Sequence, residues 1–167
     1  MEQNCLEQIL DDVIQIDFVK ASECDIQVPF QVPVIKTDGK KSVNGSLVDR
    51  IGTPSLSIKY VGNSESTAEF ESAPSIKQKE VQQIAGYVVE HSLKIPVSND
   101  YENVRESVND LRGEDFNVVF YTAGGERYLC YSLPESSSIS IDDSESVVET
   151  LTVNASLQSM SHIIRLL

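Results

Sequence analysis

Residues 86–134, GYVVEHSLKIPVSNDYENVRESVNDLRGEDFNVVFYTAGGERYLCYSLP, contain a long strand, a short helix and a tight hairpin in succession. From Tyr87 to Val97 the side chains alternate. Tyr87, Val89, His91, Leu93, Ile95 and Val97 share one face; Val88, Glu90, Ser92 and Lys94 share the other. That period of two is the pattern of a half-buried strand. Pro96 lies near its end, where a missing ladder donor is tolerated. Asn99 then reads as a helix N-cap, with Glu102 at capping-box spacing. Tyr101, Val104, Val108 and Leu111 form one apolar stripe at three- and four-residue steps, and Gly113 supplies the left-handed stop. So short and narrow-striped a helix is marginal alone and must lie on a sheet.

The hairpin is predicted from Phe116–Thr122 and Arg127–Leu133, joined by a two-residue Gly124-Gly125 turn with the positive φ angles that primed turns need. This register sets Phe120 opposite Leu129, Val118 opposite Tyr131 and Phe116 opposite Leu133, with all six on one face. A slip by one residue would bury Asn117 and Ser132 instead.

Outward from this stretch the signals weaken. Residues 2–11 suggest one or two amphipathic turns. Val13–Val19 reads as a strand with Ile14, Ile16 and Phe18 on one face. Ile26–Ile35 is strand-like, but Pro29 and Pro33 make it an edge. Asp38-Gly39 marks a turn, beside a small basic spot of Lys36, Lys40 and Lys41. Residues 42–74 are predicted to be a loose loop or arm containing one short strand, Leu56–Val61, and a polar stretch from Gly62 to Thr67. Ile76–Ile84 is mostly polar and is expected to pair with the Tyr87 strand across Ala85-Gly86. Ile139 and Ile141 suggest a short strand. Val147–Leu157 is another, with Leu151, Val153, Ala155 and Leu157 on one face. His162–Leu167 forms the last.

At 167 residues the chain is expected to be a single domain. Its 26 acids against 13 bases leave a formal charge of -13. So acidic a chain repels nucleic acid and anionic membrane, which argues against sequence-specific DNA binding. Cys5, Cys24 and Cys130 have no close spacing, so neither a disulfide framework nor a zinc site follows, and reduced thiols are expected. The N-terminus lacks the pattern of a signal peptide, and no apolar run approaches the roughly 20 residues that span a bilayer.

Chemistry is sparse. His91 falls on the apolar face of a strand, where a core role is the simpler reading. His162 has no fixed acid nearby, and neither histidine forms an HExxH or His-x-x-x-His spacing. No GxSxG, Walker loop or dinucleotide fingerprint is present. Gly124-Gly125 opens no helix and so makes no phosphate cradle. Asp142, Asp143 and Glu145 crowd together, but their spacing matches no EF-hand. No catalytic, cofactor-binding or metal-binding residue is therefore assigned, no cofactor is expected, and the chain is not expected to be an enzyme.

The quotable core, AGYVVEHSLKIPV (85–97), the helix, NVVFYTAGGERYLCYSLP (117–134) and ETLTVNASLQ (149–158), resembles small tail proteins of bacteriophages that infect Bacteroidetes hosts. Its layout is also similar to the tail-tube fold, a β-sandwich or small barrel with one flanking helix. The likeness covers about residues 76–167 and is a pattern of elements. It implies a β-rich α+β fold: a sandwich or partly closed barrel flanked by one helix. It further implies a virion structural protein, made in the host cytoplasm, that self-associates into rings, commonly hexameric. Such rings meet other tail proteins, pass DNA without specific binding and touch no membrane. A polar hairpin and loose arm suit strand addition between neighbours. An acidic channel wall would keep duplex DNA from adsorbing. Two other classes stay open: a stand-alone β-sandwich module that recognises a protein or carbohydrate, and a small hydrolase.

Overall fold

The computed structural model describes residues 13–24, 51–60, 69–70, 74–84, 86–144, 150–160 and 163–166. In chain order these form β1 (Val13–Lys20), a 3-10 turn (Ala21–Glu23), β2 (Leu56–Tyr60), β3 (Glu69–Phe70), β4 (Ser75–Gln83) and β5 (Gly86–Val97). Then come α1 (Tyr101–Leu111), β6 (Phe116–Thr122), β7 (Arg127–Cys130), β8 (Ser138–Ser144), β9 (Thr150–Ser159) and β10 (Ile164–Leu166). The strands make two sheets, β10-β7-β6-β1-β2-β3 and β4-β5-β9-β8, here sheets A and B. All pairings are antiparallel except β2 with β3. The fold is thus a β-rich α+β sandwich and not a closed barrel, as the sequence led us to expect. The expected turns at residues 2–11, the strand Ile26–Ile35, the Asp38-Gly39 turn, the three lysines around it and the stretch Gly62–Thr67 lie outside the described residues.

Sheet B follows from its sequence directly. In β5, Val89, His91, Leu93, Ile95 and Val97 are buried while Ser92 and Lys94 are exposed. In β9, Leu151, Val153, Ala155 and Leu157 are buried between half-exposed Thr152, Asn154, Ser156 and Gln158. β5 is central, paired with β4 on one side and β9 on the other. Helix α1 turns Val104, Val108 and Leu111 into the same core and touches β8 and β2. Gly113, at φ +80, ends it in the expected left-handed conformation.

The start of the helix differs from expectation. Asp100, not Asn99, is the N-cap, with φ 55 and ψ 40, and its side chain makes no capping bond. Asn99 Oδ1 instead accepts the backbone N–H of Glu69 at 2.9 Å. The Ser98 N–H, in turn, donates to the Glu69 carbonyl at 2.8 Å. The side chain that local spacing assigned to the helix is thus used to fasten β3 to the end of β5. Aspartate tolerates the left-handed region better than most residues, so the helix can begin one residue later.

The β6–β7 hairpin has a different register. Val118 lies opposite Cys130, Val119 opposite Leu129 and Phe120 opposite Tyr128. The turn is the reason. The Gly125 N–H donates to the Thr122 carbonyl at 3.1 Å, the Thr122 N–H donates to the Glu126 carbonyl at 2.9 Å, and of the two glycines only Gly125 (φ +82) has positive φ. This is a three-residue loop with a left-handed glycine closing a bulge, rather than a two-residue primed turn. Leu129 and Tyr131 therefore leave the face of Phe116, Val118 and Phe120, and strand β7 ends at Cys130. Asn117 and Ser132 are buried, and the Ser132 N–H donates to Asn117 Oδ1 at 2.9 Å.

This register is possible because sheet A is covered on both faces. Its inner face carries Ile16, Phe18, Leu56, Ile58, Phe116, Val118 and Phe120, with Phe18 and Phe116 in edge-to-face contact at 5.5 Å. Its outer face carries a second cluster of Val19, Ile51, Val119 and Leu129. A further correction lies in β1, where Val13, not Ile14, joins the inner core, because the register shifts between Val13 and Gln15. Within residues 42–74, expected to be loose, Ile51, Leu56 and Ile58 are buried.

Gly52 carries Ile51 into that second cluster. Its φ is +96, and a Cβ there would meet the Glu23 carbonyl oxygen at 2.7 Å. Gly52→Ala is expected to destabilise the fold by about 1–3 kcal/mol, from backbone strain plus the clash. The midpoint of urea unfolding measures this, and an unchanged midpoint would refute the strained crossing.

Candidate assembly surface

β4 and β5 form a hairpin whose ladder runs from Ser75–Lys94 to Gln83–Gly86. The next strand, β9, begins to pair with β5 only at Val89–Ser159. The tip therefore overhangs the sheet. There Ile84 is fully exposed, Tyr87 is 64% exposed and Met160 is 62% exposed. The alternation that buries Val89 through Val97 continues in sequence to Tyr87, which is exposed where the β5–β9 ladder has ended. Scattered single apolar residues are ordinary on a surface; these three all fall near the same end of sheet B, which makes this end the candidate contact surface. Among the described residues β4 is also the last strand of its sheet, and Lys77, Lys79 and Glu80 are exposed on it.

The outer face of sheet B is polar. Lys79 lies opposite Glu90, which also accepts a hydrogen bond from Gln158 Nε2 at 3.3 Å. Ser92, Lys94, Ser140 and Asp142 are exposed on the same sheet.

The residues that the sequence singled out for chemistry are dispersed. His91 is fully buried, with Nδ1 3.7 Å from Cys130 Sγ across the sandwich. Burial pushes the Cys130 thiol well above its ordinary range, which leaves it a poor nucleophile. Cys24 is half-buried and not in a disulfide. His162, Glu145 and Cys5 lie outside the described residues. Among the described residues no group of three metal-ligating side chains converges. No helix there is long and apolar enough to cross a membrane. No family model, curated protein or solved structure matches this chain.

Two polar clusters escaped the sequence reading. On the outer face of sheet A, Asp17 is buried; its Oδ1 accepts Ser57 Oγ at 2.6 Å and Gln15 Nε2 at 2.9 Å. Register sets Lys59, Gln15, Tyr121 and Arg127 in a row across four strands beside it. Burial raises the Asp17 carboxyl above its ordinary value of 3.8, against the pull of Ser57, Gln15 and Lys59. Burial and then Asp17 raise the Tyr121 phenol. Two buried atoms on this sheet, Asn117 Nδ2 and Arg127 Nη1, have no hydrogen-bond partner. Period-two alternation marked this face as solvent, and nothing local says that it is covered.

A carboxyl raised on folding means that the native state holds more protons than the unfolded chain. Stability from Asp17 is then greatest in acid and falls as pH rises from 3.8 through the raised folded value. Asp17→Asn keeps an oxygen acceptor without the charge. Its stability relative to the parent is expected to improve between acid and neutral pH, as read from urea midpoints across that range. A pH-independent difference would remove the charge-burial account.

The second cluster joins the two sheets. The Asp115 carboxylate accepts the backbone N–H groups of Glu135 at 2.7 Å, Ser136 at 3.2 Å and Ser137 at 3.3 Å. Ser136 Oγ accepts the Gln158 N–H, Ser137 Oγ accepts the Phe116 N–H, and the Leu133 N–H donates to the Gln158 carbonyl at 2.7 Å. The segment after β7 thereby leaves sheet A and fastens to β9 of sheet B.

Proposed function

We propose that this chain is a structural subunit of a bacteriophage tail or tail-like tube, one that works by assembling into rings that stack around a channel and carries out no catalysis. The observation that carries the reading is the β4–β5 hairpin, which runs past the end of the β5–β9 ladder and exposes Ile84 and Tyr87, with Met160 exposed just after β9, while β4 is the last strand of sheet B among the described residues. Apolar side chains on a projecting arm stay in water at a cost unless another surface covers them. Repetition of one subunit supplies that surface without a second gene product. The formal charge of -13 suits a conduit that duplex DNA crosses without adhering.

The test is the particle itself. Light scattering and negative-stain imaging of the full chain should show rings or short tubes. A strict monomer at about 1 mM, a concentration at which even weak contacts are populated, would count against the reading. Neighbouring portal, tape-measure or sheath genes would support it independently.

A further inference from the structure

Resting on that assembly reading, we propose that copies of this chain join head to tail, the basic β4 border of one docking against the acidic flank that β8 and α1 form on the opposite side of the next. β4 and β8 are the two borders of sheet B, separated by three strand spacings, roughly 14 Å. The borders differ in charge. β4 exposes Lys77 and Lys79 with a single acid, Glu80, whereas β8 exposes Asp142. Helix α1 packs on β8 and buries Val104, Val108 and Leu111, which turns Glu102 and Glu106 outward on the same flank. Asp110 and Glu114, at the C-terminal end of the helix, already share Lys20 of β1, at 3.2 and 3.1 Å. From Tyr101 to Glu114 the chain carries Glu102, Glu106, Asp110 and Glu114 against Arg105 and Arg112.

This polarity selects the symmetry. A two-fold contact through β4 that opposes Lys77 or Lys79 to its own copy, or one through β8 that opposes Asp142 to its own copy, sets like charges directly against each other, which is destabilising. Only the heterologous contact pairs opposite signs, and heterologous contacts close into rings or run on as filaments. It also brings the apolar tip, continuous with β4, alongside the neighbour. The competing role for Lys77 and Lys79 is simply to blunt an exposed border against aggregation. That role requires no acidic counterpart, so charge exchange separates the two.

Two variants of the full chain test this, K77E/K79E and E102K/E106K/D142K. Each alone is expected to associate about tenfold or more weakly than the parent, by sedimentation velocity at matched concentration. Mixed in equal amounts, they are expected to co-assemble, because each supplies the surface that the other has lost. A mixture no larger than its parts, or either variant assembling like the parent, would overturn the junction and leave the assembly reading standing. A parent that stays monomeric would overturn both. Should a variant fail to fold, carbodiimide coupling of mixed light and heavy parent chains decides. Intermolecular links from Lys77 or Lys79 to Glu102, Glu106 or Asp142 are expected, and an oligomer without them rejects the junction.

Discussion

On the proposed assembly, Ile84→Asp with Tyr87→Asp is expected to abolish self-association while leaving the fold unchanged. Both side chains are exposed at the hairpin tip, Ile84 fully and Tyr87 by 64%. Exposed substitutions away from packing or caps usually change stability by no more than about 0.5 kcal/mol. Their burial against a neighbour would contribute about 1.5–3 kcal/mol each, and aspartate would add the desolvation of a charge. The combined loss corresponds to a Kd weaker by about two to four orders of magnitude. Sedimentation velocity reads the association, and thermal unfolding confirms that the variant is folded. A folded double variant that still forms the parent's oligomer would show that the tip is not part of any contact.

Asp115→Ala should produce the largest loss of stability among single polar substitutions. One carboxylate accepts three backbone N–H groups from Glu135, Ser136 and Ser137, and charge-assisted bonds are stronger than neutral ones. Removal leaves donors unpaired at a part-buried corner, at a cost of about 2–4 kcal/mol. Glu135 adds to it, since its φ of 61 is held by this loop. Asp115→Asn keeps one acceptor oxygen and is expected to lose about half as much. The measurement is the urea midpoint of each variant. Equal, small effects for both would mean that the corner is held by Ser136, Ser137 and Gln158 without the carboxylate.

Much of sheet B was legible in advance. From Val89 onward β5, and β9 along its length, bury one face and leave the other half-exposed or exposed, so alternation along the chain reports directly which residues turn inward. The stripe of α1 and the glycine after it were legible for the same reason: each depends on neighbours within a turn or two. Asp115 was not, because its three partners lie some twenty residues further along the chain. Asp17 was not, because its strand alternates as if its outer face were wet. Neither cluster has a local signature that would have found it.

The sequence alone therefore determined the helix and all the described strands but β3, the inward face of sheet B from Val89 onward, and the polar β4–β5 hairpin. Tertiary structure decided the β6–β7 register, the transfer of Asn99 from helix cap to strand clasp, and the choice of Val13 over Ile14. The physical reason is coverage. Period-two contrast carries information only where one face of a strand meets water. β6 is buried on both faces, so a one-residue shift there costs little hydrophobic contact. The turn at Gly125 and the Asn117–Ser132 hydrogen bond then settle the register.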